Sequence, residues 1–247
     1  MSIKLDNTAA IILAAGRGTR MKAKNKNKVV FKLKGRPIAS YAVSNLKLAG
    51  VAQIIAVLGF QAKSVRDALG DGITYVTQDT PLGTGDAIKY ALPVLNQHID
   101  TVLSVYGDDS AFYPVTLYQD MVQKINESNC DIIFLTIHKD NPTGLGRIVR
   151  DEGGKVLRIV EEKNASDEVK RINEINTGFY CFKRDFLEKY IGEIECNPVT
   201  HEYYLTDLIE IALKNNKRVE ALFVKDDSIW HGVNDRHDWA MARSKNI

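Results

Sequence analysis

A chain of 247 residues carrying 33 Lys and Arg against 31 Asp and Glu has a formal net charge of only +2, which excludes a broad electrostatic surface for nucleic acid. No apolar run approaches the roughly 18 residues of a membrane span and the N-terminus has no signal-peptide pattern, so the chain reads as soluble and cytoplasmic with no membrane partner. Cys130, Cys181 and Cys196 form no CxxC pair and read as reduced thiols rather than a disulfide framework or a structural zinc site.

The chain opens on "AAIILAAGRGTRM" (9–21), an oily run that ends abruptly in glycines and arginines. Its apolar half reads as a buried central strand. Pro37 then stands where a helix begins, and Ile38, Tyr41, Ala42, Leu46 and Ala49 recur at helical spacing as far as Gly50. "AQIIAVL" (52–58) reads as a strand, "QAKSVRDALG" (61–70) as a short helix and "ITYVTQ" (73–78) as a strand rich in β-branched and aromatic residues. "GDAIKYAL" (85–92) follows as a helix and "TVLSVYGDD" (101–109) as a strand. Strand and helix alternate at short intervals, which calls for a mostly parallel sheet with helices on both faces and ligands at the carboxyl ends of its strands.

Past residue 140 the rhythm changes. "GRIVR" (146–150) and "KVLRIVEEK" (155–163), separated by "DEGG", read as a strand pair, and "NTGFYCFKR" (176–184) as a further strand. "EYYLTDLIEIALKNN" (202–216) returns to helical spacing, "RVEALFV" (218–224) is a late strand and "NDRHDWAMARSKN" (234–246) a closing helix. No internal repeat or low-complexity linker divides the chain, so the second half is expected to build onto the same sheet within one domain, 1–247, whose halves (about 1–140 and about 141–247) differ in rhythm.

Gly16 and Gly18 after a buried strand suggest a phosphate cradle, because glycines let backbone N–H groups wrap an anion. The dinucleotide fingerprint fails, since Met21 stands where a third glycine is needed, and a Walker-type loop fails for want of Lys then Ser or Thr. On these residues alone a basic surface turn is as good a reading. His98, His138, His201, His231 and His237 show no HxxxH spacing, which argues against zinc or a histidine triad.

The glycine turn keeps informative company. "LAAGRGTRM", Lys28, "GTGDA", "YGDD", "GLGRI", "IVEEK", "EINTG", "EYYLTD" and "GVNDR" follow in order over nearly the whole chain. This set resembles the sugar-phosphate nucleotidyltransferases, and in particular the uridyltransferase domain of the bacterial N-acetylglucosamine-1-phosphate uridyltransferases. The resemblance implies a Rossmann-like α/β fold with a smaller β-rich sugar-binding insertion, and transfer of a uridylyl group from UTP to N-acetylglucosamine 1-phosphate with release of pyrophosphate. The motifs run out near residue 236, so no left-handed β-helix acetyltransferase domain is expected within this chain.

By the same resemblance, Arg20 grips the outer phosphates and Lys28 the region of the α-phosphate. An Arg fork and a Lys point charge suit those tasks. Leu13, Ala14, Gly16, Gly18, Gln78, Gly83 and Thr84 would line the nucleotide site, with the Gln78 amide matching uracil's paired acceptor and donor. Tyr106, Gly146, Glu161, Asn176 and Thr206 would ring the sugar. Asp108 and Asn234 would hold magnesium, a hard cation that prefers oxygen ligands. Lys22, Lys24 and Lys26 read as a solvated basic face, Asp109 as a solvated carboxylate, and Arg17 as pointing away from the anion. The family usually has proline immediately before the lysine where this chain has Asn27 and one extra residue, so a more mobile loop is expected. Two other readings are a hexose-1-phosphate nucleotidyltransferase of another sugar or base preference, and a nucleotide-sugar-binding sensor without chemistry.

Overall fold

Alternation along the first strand dictates the two-sided core. In the computed structural model, which describes residues 5–21 and 25–245 apart from the side chain of Arg20, strand β1 (Leu5–Ala14) is buried on both faces. Ala9, Ile11 and Leu13 join one apolar cluster while Ala10 and Ile12 join the other, as a period of two requires.

A two-residue pair, β2 (Lys32–Leu33) and β3 (Arg36–Pro37), follows the loop and leads into α1 (Ile38–Ala49), which stops at Gly50 in the left-handed region. Then come β4 (Val51–Leu58), α2 (Ala62–Leu69), β5 (Thr74–Thr77), α3 (Thr84–Ala91) and β6 (Thr101–Tyr106). Helix α4 (Val115–Ser128) and strand β7 (Ile132–His138) come next; like β2 and β3 before them and the next two helices after, they were not expected from sequence. The hairpin β8 (Arg147–Arg150) and β9 (Val156–Val160) precedes the short helix α5 (Asp167–Lys170), strand β10 (Glu174–Lys183) and helix α6 (Arg184–Tyr190). Helix α7 (Leu208–Lys214), strand β11 (Val219–Phe223) and helix α8 (Arg236–Ser244), the last closed by an Asp235–Asp238 capping box, complete the chain.

One mixed sheet runs through both halves in the order β11-β7-β10-β6-β1-β4-β5, with β8 and β9 attached to β10. β1 pairs in parallel with both β4 and β6, β5 continues in parallel, and β10 runs antiparallel between β6 and β7. The carboxyl ends of β1, β4, β5 and β6 therefore share one edge. The reversed β10 brings its first residues, Asn176 among them, to that same edge.

Two expected elements differ. Helical spacing over 202–216 yields helix only from Leu208, after a 3-10 turn at Leu205–Asp207, because residues 203–205 are bonded to another loop: Tyr203 N–H donates to Leu82 O and Leu205 N–H to Thr84 Oγ1. The strand expected to reach 163 stops at Val160 and turns at Glu162–Asn164, which aims Glu161 and Glu162 differently. Among the described residues no helix is long and apolar enough to cross a membrane.

Candidate active site

At the shared edge lies a cavity of about 460 Å³. Its wall includes Leu13, Ala14 and Gly16 from the end of β1, Gln78 just past β5, Gly83 and Thr84 at the start of α3, and Tyr106 and Asp108 past β6. A second cavity of about 200 Å³ shares Lys28, Tyr106, Asp108 and Glu161 with the first and adds Gly146, Asn176 and Asn234. Sixteen residues were assigned from sequence to nucleotide, sugar, metal or catalysis, and the fold brings most of them onto these two walls. Thr206 stands one step behind, donating to Glu161 Oε1 at 3.4 Å.

Lys28 sits where the cavities join. Its ammonium forms an ion pair with Asp108 Oδ2 and lies 3.5 Å from Asn234 Oδ1. Two oxygen donors from loops 126 residues apart thus converge on one positive charge, held together by Val233 N–H donating to Asp108 O at 3.2 Å. A carboxylate oxygen and an amide oxygen meeting at a cation are the hard donor set that magnesium takes, completed by phosphate oxygens and water, so these residues fit the ion. Lys26 is exposed and absent from both walls. The side chain of Arg20, and Lys22 and Lys24 altogether, lie outside the described residues.

Asn27 contradicts the expectation of a loosened loop. It is fully buried, and its Nδ2 donates to Ala14 O at 3.0 Å, Gly16 O at 3.2 Å and Phe60 O at 2.8 Å. Its Oδ1 accepts from Val29 N–H at 3.1 Å, capping the 3-10 turn that carries Lys28. Its φ of −71° is the value a proline would impose. The side chain supplies, through hydrogen bonds, the restraint that the missing ring would have given.

Other expectations are corrected by packing. Gly18 does not line the larger cavity. Its φ of +55° and the Lys28 side chain, 3.1 Å from where a Cβ would stand, make it the residue that clears room for Lys28. Gly16 has open space at that position, as a surface for a ligand needs. Arg17 is exposed at the rim of the same cavity. Asp109 is not solvated: it is 6% exposed, accepts from Trp230 Nε1 at 3.2 Å, and burial together with the neighbouring Asp108 charge raises its pKa well above the usual carboxylate range.

Toward the smaller cavity, Glu161 lines both cavities and burial raises its pKa. The ion pair that could have claimed it belongs instead to Glu162, which meets the fully buried Arg147 at 2.7 Å. Gly178 (φ +81°) sits at the β10 bulge directly under the Tyr106 ring, whose Cε2 lies 2.0 Å from any Cβ placed there. Burial raises the Tyr106 hydroxyl far above its ordinary value, so it stays a neutral donor. Asn27, Asp86, Arg147 and Trp230 were missed as site-builders, since a lone polar residue in a loop gives no sequence sign of what it will bond.

The class follows from this arrangement of strand ends, glycine turn and oxygen donors. Residues 9–241 match the Nucleotidyl transferase family model, and the chain belongs to that family. It is 40% identical over 238 residues to the Bifunctional protein GlmU of Exiguobacterium sibiricum, covering 96% of this chain and 53% of that protein. Against the Bifunctional protein GlmU of Acetivibrio thermocellus it is 40% identical over 233 residues, covering 94% of this chain and 50% of that protein. The chain thus spans about half the length of the curated relatives it matches. A crystal structure of a putative glucose-1-phosphate thymidylyltransferase from Bacillus anthracis in complex with a sucrose superposes with a TM-score of 0.78 at 23% identity, covering 97% of both chains, and shares the fold.

Proposed function

We propose that this chain transfers a uridylyl group from UTP to N-acetylglucosamine 1-phosphate, giving UDP-N-acetylglucosamine and pyrophosphate. One observation carries the reading: a nucleotide-sized cavity and a smaller one lined by carboxylates and amides meet at Lys28 and Asp108, with Asn234 beside them. That is where an α-phosphate and an incoming sugar phosphate would have to meet. The motif set and the 40% identity to GlmU proteins support the choice of uridine and N-acetylglucosamine.

An ionised sugar phosphate brings its own nucleophilic oxygen, so no general base is required and catalysis becomes alignment and charge neutralisation. The phosphate oxygen attacks the α-phosphorus in line. A new P–O bond forms, the α–β bridge breaks, and its electron pair leaves on pyrophosphate. Lys28, held by the Asn27-capped turn, neutralises the α-phosphate, and Arg20 is assigned to the outer phosphates. Magnesium, held by Asp108 and Asn234, would supply further neutralisation of the phosphate oxygens. Glu161 and Asn176 accept and donate to sugar hydroxyls while Tyr106 closes the wall between the substrates.

The test is pyrophosphate release measured for UTP, dTTP, CTP, ATP and GTP against N-acetylglucosamine 1-phosphate, glucose 1-phosphate and galactose 1-phosphate with magnesium. UTP with N-acetylglucosamine 1-phosphate is expected to give the highest kcat/KM. A different best pair would transfer the chain to the wider hexose-1-phosphate class. Binding of both substrates without pyrophosphate from any pair would make it a nucleotide-sugar sensor.

A further inference from the structure

The acid in "GTGDA", Asp86, stands behind the wall of the larger cavity, bonded to the lining residue Gln78, and no role above uses it. It lies in the first turn of α3, where a carboxylate also suits the helix dipole. Gln78 Nε2 donates to Asp86 Oδ2 at 2.6 Å and to Gly83 O at 3.2 Å. Both hydrogens of that amide are therefore committed, and Oε1 has no hydrogen-bond partner among the described residues. The amide itself is 2% exposed and lines the cavity.

We propose that Asp86 sets base choice by locking the Gln78 amide so that it offers the base an acceptor only. This rests on reading the larger cavity as the nucleotide site. Gln amide orientation is normally settled by its neighbours, and here both neighbours are acceptors, so the nitrogen must face them. Rotating the amide by half a turn would set Oε1 against the Asp86 carboxylate and the Gly83 carbonyl, leaving a buried repulsive contact. Gly83 cannot retreat to permit it. Its loop is laced to residue 203 by Tyr203 N–H on Leu82 O and Gly85 N–H on Tyr203 O, both 2.8 Å, and a Cβ at Gly83 would stand 2.6 Å from Tyr203 O.

The base must then bring a donor to this point. Uracil and thymine offer N3–H, whereas cytosine presents a bare acceptor nitrogen at the same edge position. A base that fails to satisfy a buried hydrogen-bonding group is rejected strongly, because the group is left unpaired. The earlier expectation that Gln78 reads an acceptor and a donor together is corrected: its donor is already engaged inside the protein.

The experiment is equilibrium binding of UTP and CTP, by isothermal titration calorimetry, to the parent, Gln78→Ala, Asp86→Asn and Asp86→Ala, with circular dichroism verifying folding. The parent is expected to prefer UTP by on the order of a hundredfold. In Asp86→Asn the new amide can donate to Gln78 Oε1, which permits the flip, so CTP affinity should rise and the UTP:CTP ratio shrink at least tenfold. Asp86→Ala should shrink it by a smaller factor and serves if the Asn variant does not fold. An unchanged ratio in folded Asp86 variants, with the ratio reduced in Gln78→Ala, would overturn the role of Asp86 alone. An unchanged ratio in Gln78→Ala would overturn base reading by Gln78, and failure of the parent to bind either nucleotide would overturn the assignment of the cavity itself.

Discussion

Replacing Asn27 by alanine removes four side-chain hydrogen bonds from a fully buried position and tests whether they position Lys28. Each such bond is worth about 1 kcal/mol net. One amide nitrogen has two hydrogens for its three carbonyl partners, so the sum falls short of four full bonds and comes to about 2–3 kcal/mol. In a domain of this size that lowers Tm by roughly 4–12 °C, at about 2–4 °C per kcal/mol. The loss is expected to be local as well as global. Ala14, Gly16 and Phe60 belong to the ends of β1 and β4, and Val29 follows Lys28, so the variant frees the lysine from the strand ends that define the cavity. Turnover should fall by more than tenfold, because the amide ties the turn that aims Lys28. Asn27→Asp keeps the cap on Val29 but sets a carboxylate oxygen against three carbonyls, so it should be no more stable than the alanine variant. Asn27→Pro matches the φ of −71° yet restores none of these bonds, and it should resemble alanine in stability. The assay is thermal unfolding by circular dichroism beside steady-state kinetics on the same samples. A Tm within about 2 °C of the parent and unchanged turnover in Asn27→Ala would refute the reasoning.

Asp108→Asn keeps shape but removes the charge facing Lys28; turnover should fall on the order of a hundredfold or more, with manganese affinity by electron paramagnetic resonance reduced in parallel, and near-normal turnover in saturating magnesium would remove Asp108 as a ligand. Gly178→Ala places a methyl group against the Tyr106 ring at positive φ, which should cost about 3 kcal/mol from strain and overpacking together; an unchanged denaturation midpoint in urea would contradict that packing. Asp207, its pKa raised to about 6 from 3.8 by burial and then by Glu210, binds more protons folded than unfolded between about pH 4 and 6, so stability declines as pH rises through that window. Asp207→Asn should therefore melt higher than the parent at pH 8, by roughly 2–4 °C for about 1 kcal/mol after solvent screening, and the gap should close below pH 4; a gap independent of pH would refute the assignment.

What was legible in the sequence divides by the range of the interaction. Apolar runs located β4, β6 and β10 to within two or three residues and the second half of β1, whose first four residues were not read, because a strand buried on both faces is written locally. Helix α4 was equally legible, since Leu117, Tyr118, Met121, Val122 and Ile125 lie on one buried face between Pro114 and the left-handed Asn129, yet the alternating pattern read on either side of it did not call for it. The start of α7 was not legible: Tyr203 is bonded to Leu82 and Leu205 to Thr84, partners about 120 residues away that override helix spacing. The candidate site shows the same division. Glycine turn, lysine and aspartate were recognisable as a set of motifs, whereas the posture of Asn27, the burial of Asp109 beside Trp230 and the lock of Asp86 on Gln78 arise only when separate loops meet.

The most direct test of the account is a single competition reaction. The chain would be given equimolar UTP, dTTP and CTP together with equimolar N-acetylglucosamine 1-phosphate and glucose 1-phosphate, with magnesium, and the products resolved by mass spectrometry while pyrophosphate is quantified. The account predicts UDP-N-acetylglucosamine as the main product, in one-to-one ratio with pyrophosphate, and no detectable cytidine product. Bound substrates with no nucleotide sugar and no pyrophosphate would contradict it.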